Sequence, residues 1–351
     1  MTEIRRMQPH EAVEVRKIAA KAFDGIERFL IAKPKEALVA EIDGKIVGGI
    51  IIKYISSNSD KIGYYDGAFI HPDYHAKGIG SALYKATAEY LWEQGCTAQA
   101  AFVKDDNVAS WKLFLNNGFS RVSFFEGPKK LGFSTMLKYY FSTPFFVSIG
   151  MEFYLAVKGK SLESKPKITA KNILLYLLVN TLLVLLGSIG SSRDYPLYLA
   201  AFLTILASGV FFSYIGTLFS KRDWYFRLNS GGAFLCCVLN FFGSLLPMIG
   251  AWYPAKYEKT DKFKQDLAMP ALMEWISLLC LTFMACFYAD AHIYLNYLRI
   301  VGVMLLFYKI IPLYPFESFG GGRVYRWNKW IYGIMALSSV LLMLFANNVM
   351  K

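Results

Sequence analysis

The chain has 351 residues, of which 55% are hydrophobic, 17% aromatic and only 18% charged, with a formal net charge of +12. That is too apolar for a wholly soluble protein and long enough for two domains. The basic residues gather at the ends of apolar segments, where lysine and arginine set membrane orientation, so nucleic acid is excluded as the partner their charge would otherwise suggest.

Met1 to Met7 is charged and runs into a polar, helix-like segment, so no cleavable signal is expected. Thr2 to Met7 reads as a strand and Pro9 to Phe23 as an amphipathic helix, with Val13, Val15, Ile18, Ala19 and Phe23 apolar. Leu38 to Ile42 and Ile46 to Ile55 form a hairpin around Asp43-Gly44, a strong turn signal between β-branched runs. From Tyr64 to Cys96 a strand stops at His71-Pro72, a short basic turn follows, and Gly78-Ile79-Gly80-Ser81 opens a helix with Ala82, Leu83, Ala86, Tyr90 and Leu91 apolar. A glycine-rich turn feeding a helix start leaves backbone N–H groups pointing outward at the positive end of the helix dipole, which is a phosphate site. A strand at Ala98 to Val103, a helix at Asn107 to Asn117 closed by Gly118, and a strand at Glu152 to Val157 complete the soluble part.

The strand ending in Ile70-His71-Pro72, followed by His75-Ala76-Lys77-Gly78-Ile79-Gly80 and an Ala/Leu-rich helix, resembles the pyrophosphate motif of the GNAT acetyltransferase superfamily. That motif is usually Arg/Gln-x-x-Gly-x-Gly/Ala, so His75 is a departure. Asn107-x-x-Ser110-x-x-x-Phe114-x-x-x-Gly118-Phe119 is similar to the family's Asn-x-x-Ala-x-x-x-Tyr-x-x-x-Gly-Phe. The order of elements resembles that family from the start of the chain to about Phe125, with the strand at Glu152 to Val157 as its last. The resemblance implies an α+β fold for residues 1–160, a mixed central sheet flanked by helices, that uses acetyl-CoA as acyl donor. It places the donor on Phe69, Ile70, His71, His75, Ala76, Lys77, Gly78, Ile79, Gly80, Ser81, Asn107, Ser110 and Phe114.

In the family the motif tyrosine often protonates the departing thiolate. Phe114 has no proton to give, so water, Tyr64, Tyr65 or Tyr84 could serve, or the chemistry is slow. An amine acceptor must be neutral to attack, which calls for a carboxylate base; Asp66 on the motif strand is the first choice and Glu126 the second. A backbone N–H near Phe69 to His71 is expected to meet the oxyanion. Between Glu126 and Glu152, where the family has a short turn, this chain carries an insertion with Phe133, Tyr139, Tyr140, Phe141, Phe145 and Phe146 beside lysines. It reads either as a segment in the lipid headgroup region or as a loop packed on the protein.

Residues 161–351 read as an all-α polytopic membrane domain. Candidate spans are Asn172–Ile189, Leu197–Phe219, Ala233–Trp252, Leu267–Phe287, Ile293–Ile311 and Ile331–Ala346. Six crossings would put Lys256, Lys259, Lys262 and Lys264, together with Arg323, Arg326 and Lys329, on the outside, badly against the positive-inside tendency. Five crossings, with Ala233–Trp252 re-entrant, put every basic loop on the side of the head, which is then cytosolic. Ile310 to Asn328 is similar to the Pro-x-x-Pro-Leu-Asp-Gly-Gly segment of site-2-protease-like metalloproteases, with Glu317 offset by two extra residues. No HExxH exists and the chain has only four histidines, so no catalytic zinc is expected. The segment is a protease scaffold without its metal, or a Pro/Gly-rich loop. The five cysteines form no CxxC and read as packing residues.

Two functions follow. One is a membrane-anchored acetyltransferase acting on an amine, of a protein or a small molecule, at the cytosolic face of a lipid bilayer. The other is a non-catalytic acetyl-CoA sensor whose protease-like domain holds a membrane-protein partner.

Overall fold

The computed structural model describes residues 2–22, 28, 31, 33–57, 60–104, 107–123, 126–143, 148–160, 168–187, 194–256, 258, 260–289, 291–313 and 316–348. Phe23, Phe145, Phe146, Ile189, Lys259, Tyr314 and Pro315 lie outside the described residues. Two compact units emerge, residues 1–146 with 151–165, and residues 147–150 with 166–351.

The first unit is built on a seven-stranded sheet in the order β1-β2-β3-β4-β5-β7-β6. Its strands are β1 (Glu3–Arg6), β2 (Glu36–Ile42), β3 (Lys45–Ser57), β4 (Asp60–Ile70), β5 (Ala98–Lys104), β6 (Ser120–Val122) and β7 (Met151–Val157). The β2–β3 turn is the expected Asp43-Gly44, both at positive φ (50° and 73°), which matches the twist of the flanking strands. Among the described strands only β4 and β5 run parallel, and their pairing lasts four residues, from Ile62 opposite Ala98 to Tyr65 opposite Ala101. Directly after Tyr65, β4 carries a bulge: Ile52 faces Tyr65 and Ile51 faces Gly67, so Asp66 is the extra residue. The bulge bends β4 away, and the two parallel strands splay apart beyond it.

Side-chain alternation assigns the faces. Ile51, Lys53 and Ile55 share one face. Ile51 packs on helix α1 (Ala12–Ala22) with Val15, Ile18, Ala19 and Phe69. Ile55 packs with Tyr64, Met136 and Tyr139 under helix α5 (Phe133–Ser142), which follows helix α4 (Gly127–Leu131). Val13, expected on the buried stripe of α1, is half exposed. The opposite face carries helix α2 (Ile79–Glu93) and helix α3 (Val108–Asn116). Leu91 of α2 lies so close over Gly63 that an added Cβ would fall 2.8 Å from its methyls. The buried seam of α2 is Leu83, Tyr84, Thr87, Ala88 and Leu91; Ala82, expected there, is exposed. Tyr65 Oη donates to Gln99 Oε1 (2.8 Å) and Gln99 Nε2 donates to Ala88 O (2.7 Å), tying β4, β5 and α2 together just short of the splay.

The second unit holds α6 (Thr169–Leu186), α7 (Tyr195–Thr217), β8 (Trp224–Leu228), α8 (Ala233–Phe241), β9 (Gly250–Pro254), α9 (Asp261–Tyr288), α10 (Ile293–Lys309), α11 (Gly321–Trp327) and α12 (Lys329–Asn348). Among the described residues, four helices are long and apolar enough to cross a membrane: α6, α7, α9 and α12. Helix α10 has 17 residues, one fewer than α6, and buries Arg299 and Lys309. The segment Ala233–Trp252 is not a span. It is the nine-residue α8 followed by extended chain that ends as β9 paired with β8, so the six-span reading and the all-α expectation both give way. Two asparagines support this non-helical backbone. Asn240 Nδ2 donates to Cys236 O and Leu246 O (2.7 Å each), while Asn180 accepts from Met248 N (2.8 Å) and donates to Met248 O (3.2 Å). Irregular backbone in an apolar unit persists only where its polar groups are satisfied inside the protein. Helices α7 and α9 touch at Gly216, where a Cβ would lie 2.5 Å from the Pro270 Cα.

Candidate functional site

The turn ahead of α2 has the form the sequence implies. Ala76 (φ 63°) and Gly78 (φ 77°) both take left-handed backbone, and the first bond of the helix is Ala82 N to Gly78 O at 3.2 Å. Among the described contacts, the N–H groups of Ala76, Lys77, Gly78, Ile79, Gly80 and Ser81 give no hydrogen bond to the chain. Alternating left-handed residues before a helix turn such amides toward one point, a nest for an anion. The strain of a non-glycine residue at positive φ is concentrated at Ala76. His75 Nε2 lies 3.0 Å from Ile70 O and ties the turn to the end of β4. His71 Nδ1 accepts from Asp73 N, and Lys77 sits 4.7 Å above the Tyr74 ring.

Of the three amides expected near the oxyanion, His71 N is bonded to Val47 O (2.8 Å). Gly49 is the register partner of Phe69. By antiparallel alternation Phe69 N also faces β3, whereas Ile70 N and Ala68 N face the side from which β5 has departed. Ala68 was not predicted; the bulge that sets this phase carries no sequence signal beyond Gly67.

The second motif forms the start and the core-facing side of α3. Asn107 caps α3, accepting from Ser110 N at 3.2 Å. Phe114 is buried among Tyr65, Tyr84, Phe119 and Tyr154, with the Tyr84 ring 4.8 Å away. It is a core residue of the sheet's α2–α3 side. Burial pushes the Tyr84 phenol up to about 12, with a hydrogen bond to Ser110 working the other way. Tyr65 is hydrogen-bonded to Gln99, and burial keeps both phenols protonated.

Asp66 stands at the bulge on the α1–α5 face, its side chain 18% exposed and paired with Lys53 Nζ at 2.8 Å. Glu126 occupies the N-cap position of α4 without capping it through its side chain, and is half-buried. The insertion is not a single headgroup-facing segment: Tyr139 and Tyr140 are buried in the core of the first unit, while Phe133 and Phe141 are exposed. Tyr139, which the sequence offers only as an aromatic residue of the insertion, is fully buried. Its ring lies 5.7 Å from Tyr64 and 5.2 Å from Phe102, the first β5 residue past the last β4 pair. Its hydroxyl is buried with no hydrogen-bond partner. Burial first, then Tyr64 and Asp66, push its pKa well above 10, so it stays protonated. Tyrosine in an insertion has no spacing signature.

In the second unit, Glu317 is buried and accepts from Arg326 Nη1 at 3.0 Å. Ser318, Phe319 and Gly320, not Glu317, line a cavity of about 60 Å³ with Glu274 and Lys309, themselves paired at 2.8 Å. Glu317 therefore serves as an ion-pair partner there.

Residues 2–119 match the acetyltransferase (GNAT) family. Curated relatives include an acetyltransferase of Yersinia pestis, 37% identical over 84 residues, covering 24% of this chain and 57% of the relative. An acetyltransferase of Sodalis glossinidius is 38% identical over 89 residues, 25% of this chain and 60% of the relative. The chain thus spans less than two thirds of the length of these relatives. Among solved structures, the Escherichia coli ribosomal-protein-S18-alanine N-acetyltransferase is similar at TM-score 0.34 and 15% identity, over 47% of this chain and 99% of that one. By that match, residues 2–119 are similar to the acetyltransferase (GNAT) family.

Proposed function

We propose that the chain is a membrane-anchored N-acetyltransferase that moves an acetyl group from acetyl-CoA to an amine at the cytosolic membrane face. The observation that carries this reading is the run of unbonded amides from Ala76 to Ser81 beside the open edge of β4, with Asp66 on the bulge between them and the α1–α5 face. Acetyl-CoA, when bound, supplies the acyl group and a diphosphate. The amides of Ala76 to Ser81 fit that diphosphate, being unpaired donors at a helix N-terminus. Ala68 N and Ile70 N are donors for the acyl carbonyl oxygen as it gains charge. Asp66 takes the proton from the incoming ammonium so that the nitrogen lone pair can form the new C–N bond. The C–S bond breaks, and the thiolate is protonated by a group other than Phe114.

Tyr139 lies on the acceptor side, where a permanent donor has no partner within the protein. A buried unpaired hydroxyl costs stability, and supplying it with an acceptor atom recovers that cost. Tyr139→Phe is therefore expected to stabilise the fold by about 1 kcal/mol while lowering turnover about tenfold, the scale of one lost hydrogen bond. A melting curve and a thiol-release assay on the same preparation check both halves; unchanged turnover would leave Tyr139 a packing residue.

Membrane anchoring is supported by the four membrane-length helices of the second unit. Lys171, Lys221, Arg222, Lys262, Lys264, Arg326 and Lys329 fall at ends that share one side if α10 also crosses, which puts the head in the cytosol. Phe114 supports a second reading, a sensor that binds acetyl-CoA without turning it over. Calorimetric titration of acetyl-CoA into the full chain, followed by thiol release with amine and peptide acceptors in lipid, separates the two. Binding with turnover establishes the transferase, binding without turnover the sensor, and no binding removes both.

A further inference from the structure

We propose that the outer face of α5 lies on an anionic lipid surface, which makes the acceptor side of the head a site for amines presented at the membrane. This rests on the transferase reading for its consequence, though not for the docking itself. Helix α5 has two faces. Thr135, Met136, Tyr139 and Tyr140 are buried against the sheet. Phe133, Leu137 and Phe141, spaced at i, i+4 and i+8, are 72%, 45% and 51% exposed. At 3.6 residues per turn they fall within an arc of about 80°, a continuous apolar stripe. Lone exposed apolar residues are ordinary on a soluble domain, but three large ones aligned on one short helix are not.

The charge around the stripe selects its occupant. From Glu126 to Thr143 the chain carries Lys129, Lys130 and Lys138, all exposed, against one carboxylate, Glu126. Phenylalanine and leucine flanked by lysine suit the boundary of an anionic bilayer, where rings enter the acyl region and ammonium groups meet phosphates. The same chain holds four helices of membrane-spanning length, so a bilayer is at hand at high effective concentration. Because the buried face of the same helix bears Tyr139, seating the outer face on lipid fixes the acceptor side at the depth of headgroup amines and of chain ends emerging from the membrane.

The test uses the full chain reconstituted in phosphatidylcholine–phosphatidylglycerol bilayers, with p-benzoylphenylalanine in place of Phe133, Leu137 or Phe141 in turn. Leu115, 43% exposed on α3 across the sheet, is the control position. Irradiation is expected to give lipid adducts, read by mass, at the three α5 positions and none at 115. Lys129→Glu, Lys130→Glu and Lys138→Glu combined are expected to cut the adducts about tenfold, as is pure phosphatidylcholine. Protein adducts at 137, whether to the second unit or to another copy, would overturn the proposal, as would the absence of adducts. Adducts indifferent to both charge changes would overturn the anionic assignment. Thiol release from a soluble peptide acceptor is followed in parallel: turnover without lipid adducts removes the docking alone, and lipid adducts without turnover remove the acetyl-transfer reading alone.

Discussion

Gly80→Glu is expected to abolish acetyl-CoA binding without unfolding the head. Gly80 is the second residue of α2, and the nearest atom an added Cβ would meet is Leu113 Cδ1 at 3.5 Å, an ordinary contact. Its backbone is helical, unlike that of Gly78, so the substitution stores no strain. A glutamate in the first turn is favourable for a helix, because its carboxylate can lie over the free amides of Gly78 to Ser81. That same carboxylate takes the place of the diphosphate and repels it. Two like charges about 4 Å apart at a protein surface interact by on the order of 4 kcal/mol, which is about a thousandfold in affinity. Gly80→Ala is the matched control, expected to bind nearly as the parent does, since its methyl has room. Calorimetry on both variants, with melting curves to show that the fold persists, gives the result. Undiminished affinity in Gly80→Glu would remove the nest from the binding site.

The sequence made this nest legible because its two signals are local. Left-handed backbone selects glycine at 78, and a helix start follows within one residue, so the chemistry can be written from neighbours alone. The hairpin at Asp43-Gly44 is legible for the same reason. What sequence could not place depends on contacts between distant segments. The phase of the free amides at Ala68 and Ile70 comes from a bulge that exists only when β3 and β4 pair. Phe114 fits the family's spacing, but whether its ring faces a ligand or the core is decided by Tyr65, Tyr84 and Tyr154 from three other elements. The insertion misled in a similar way: its aromatic residues read as one surface, and only the packing of Met136 and Tyr139 on Ile55 and Tyr64 divides α5 into a buried face and an exposed one. In the second unit, Asn180 and Asn240 look like polar blemishes in apolar runs. Their hydrogen bonds to the backbone at 246 and 248 explain why Ala233–Trp252 turns back into a hairpin instead of continuing as a span.

Asp66→Asn is expected to lower turnover by about a hundredfold or more, the usual scale for a general base, with acetyl-CoA affinity unchanged. The substitution keeps the shape of the bulge and removes only the charge. Its partner Lys53 is half exposed, so freeing that ammonium costs the fold little. The affinity should hold because Asp66 lies past the last β4–β5 pair on the α1–α5 face, and the amides of the nest are not among its contacts. A pH profile separates proton removal from mere positioning. An ammonium acceptor loses its own proton as pH rises toward its pKa, so a base becomes progressively less needed. The deficit of Asp66→Asn should therefore be largest near neutrality and shrink as pH climbs, while a residue that only orients the acceptor would show a constant ratio. Glu126→Gln is the companion measurement. If it carries the pH-dependent loss and Asp66→Asn does not, proton transfer belongs to the start of α4, and Asp66 with Lys53 is an ion pair that holds the bulge in shape.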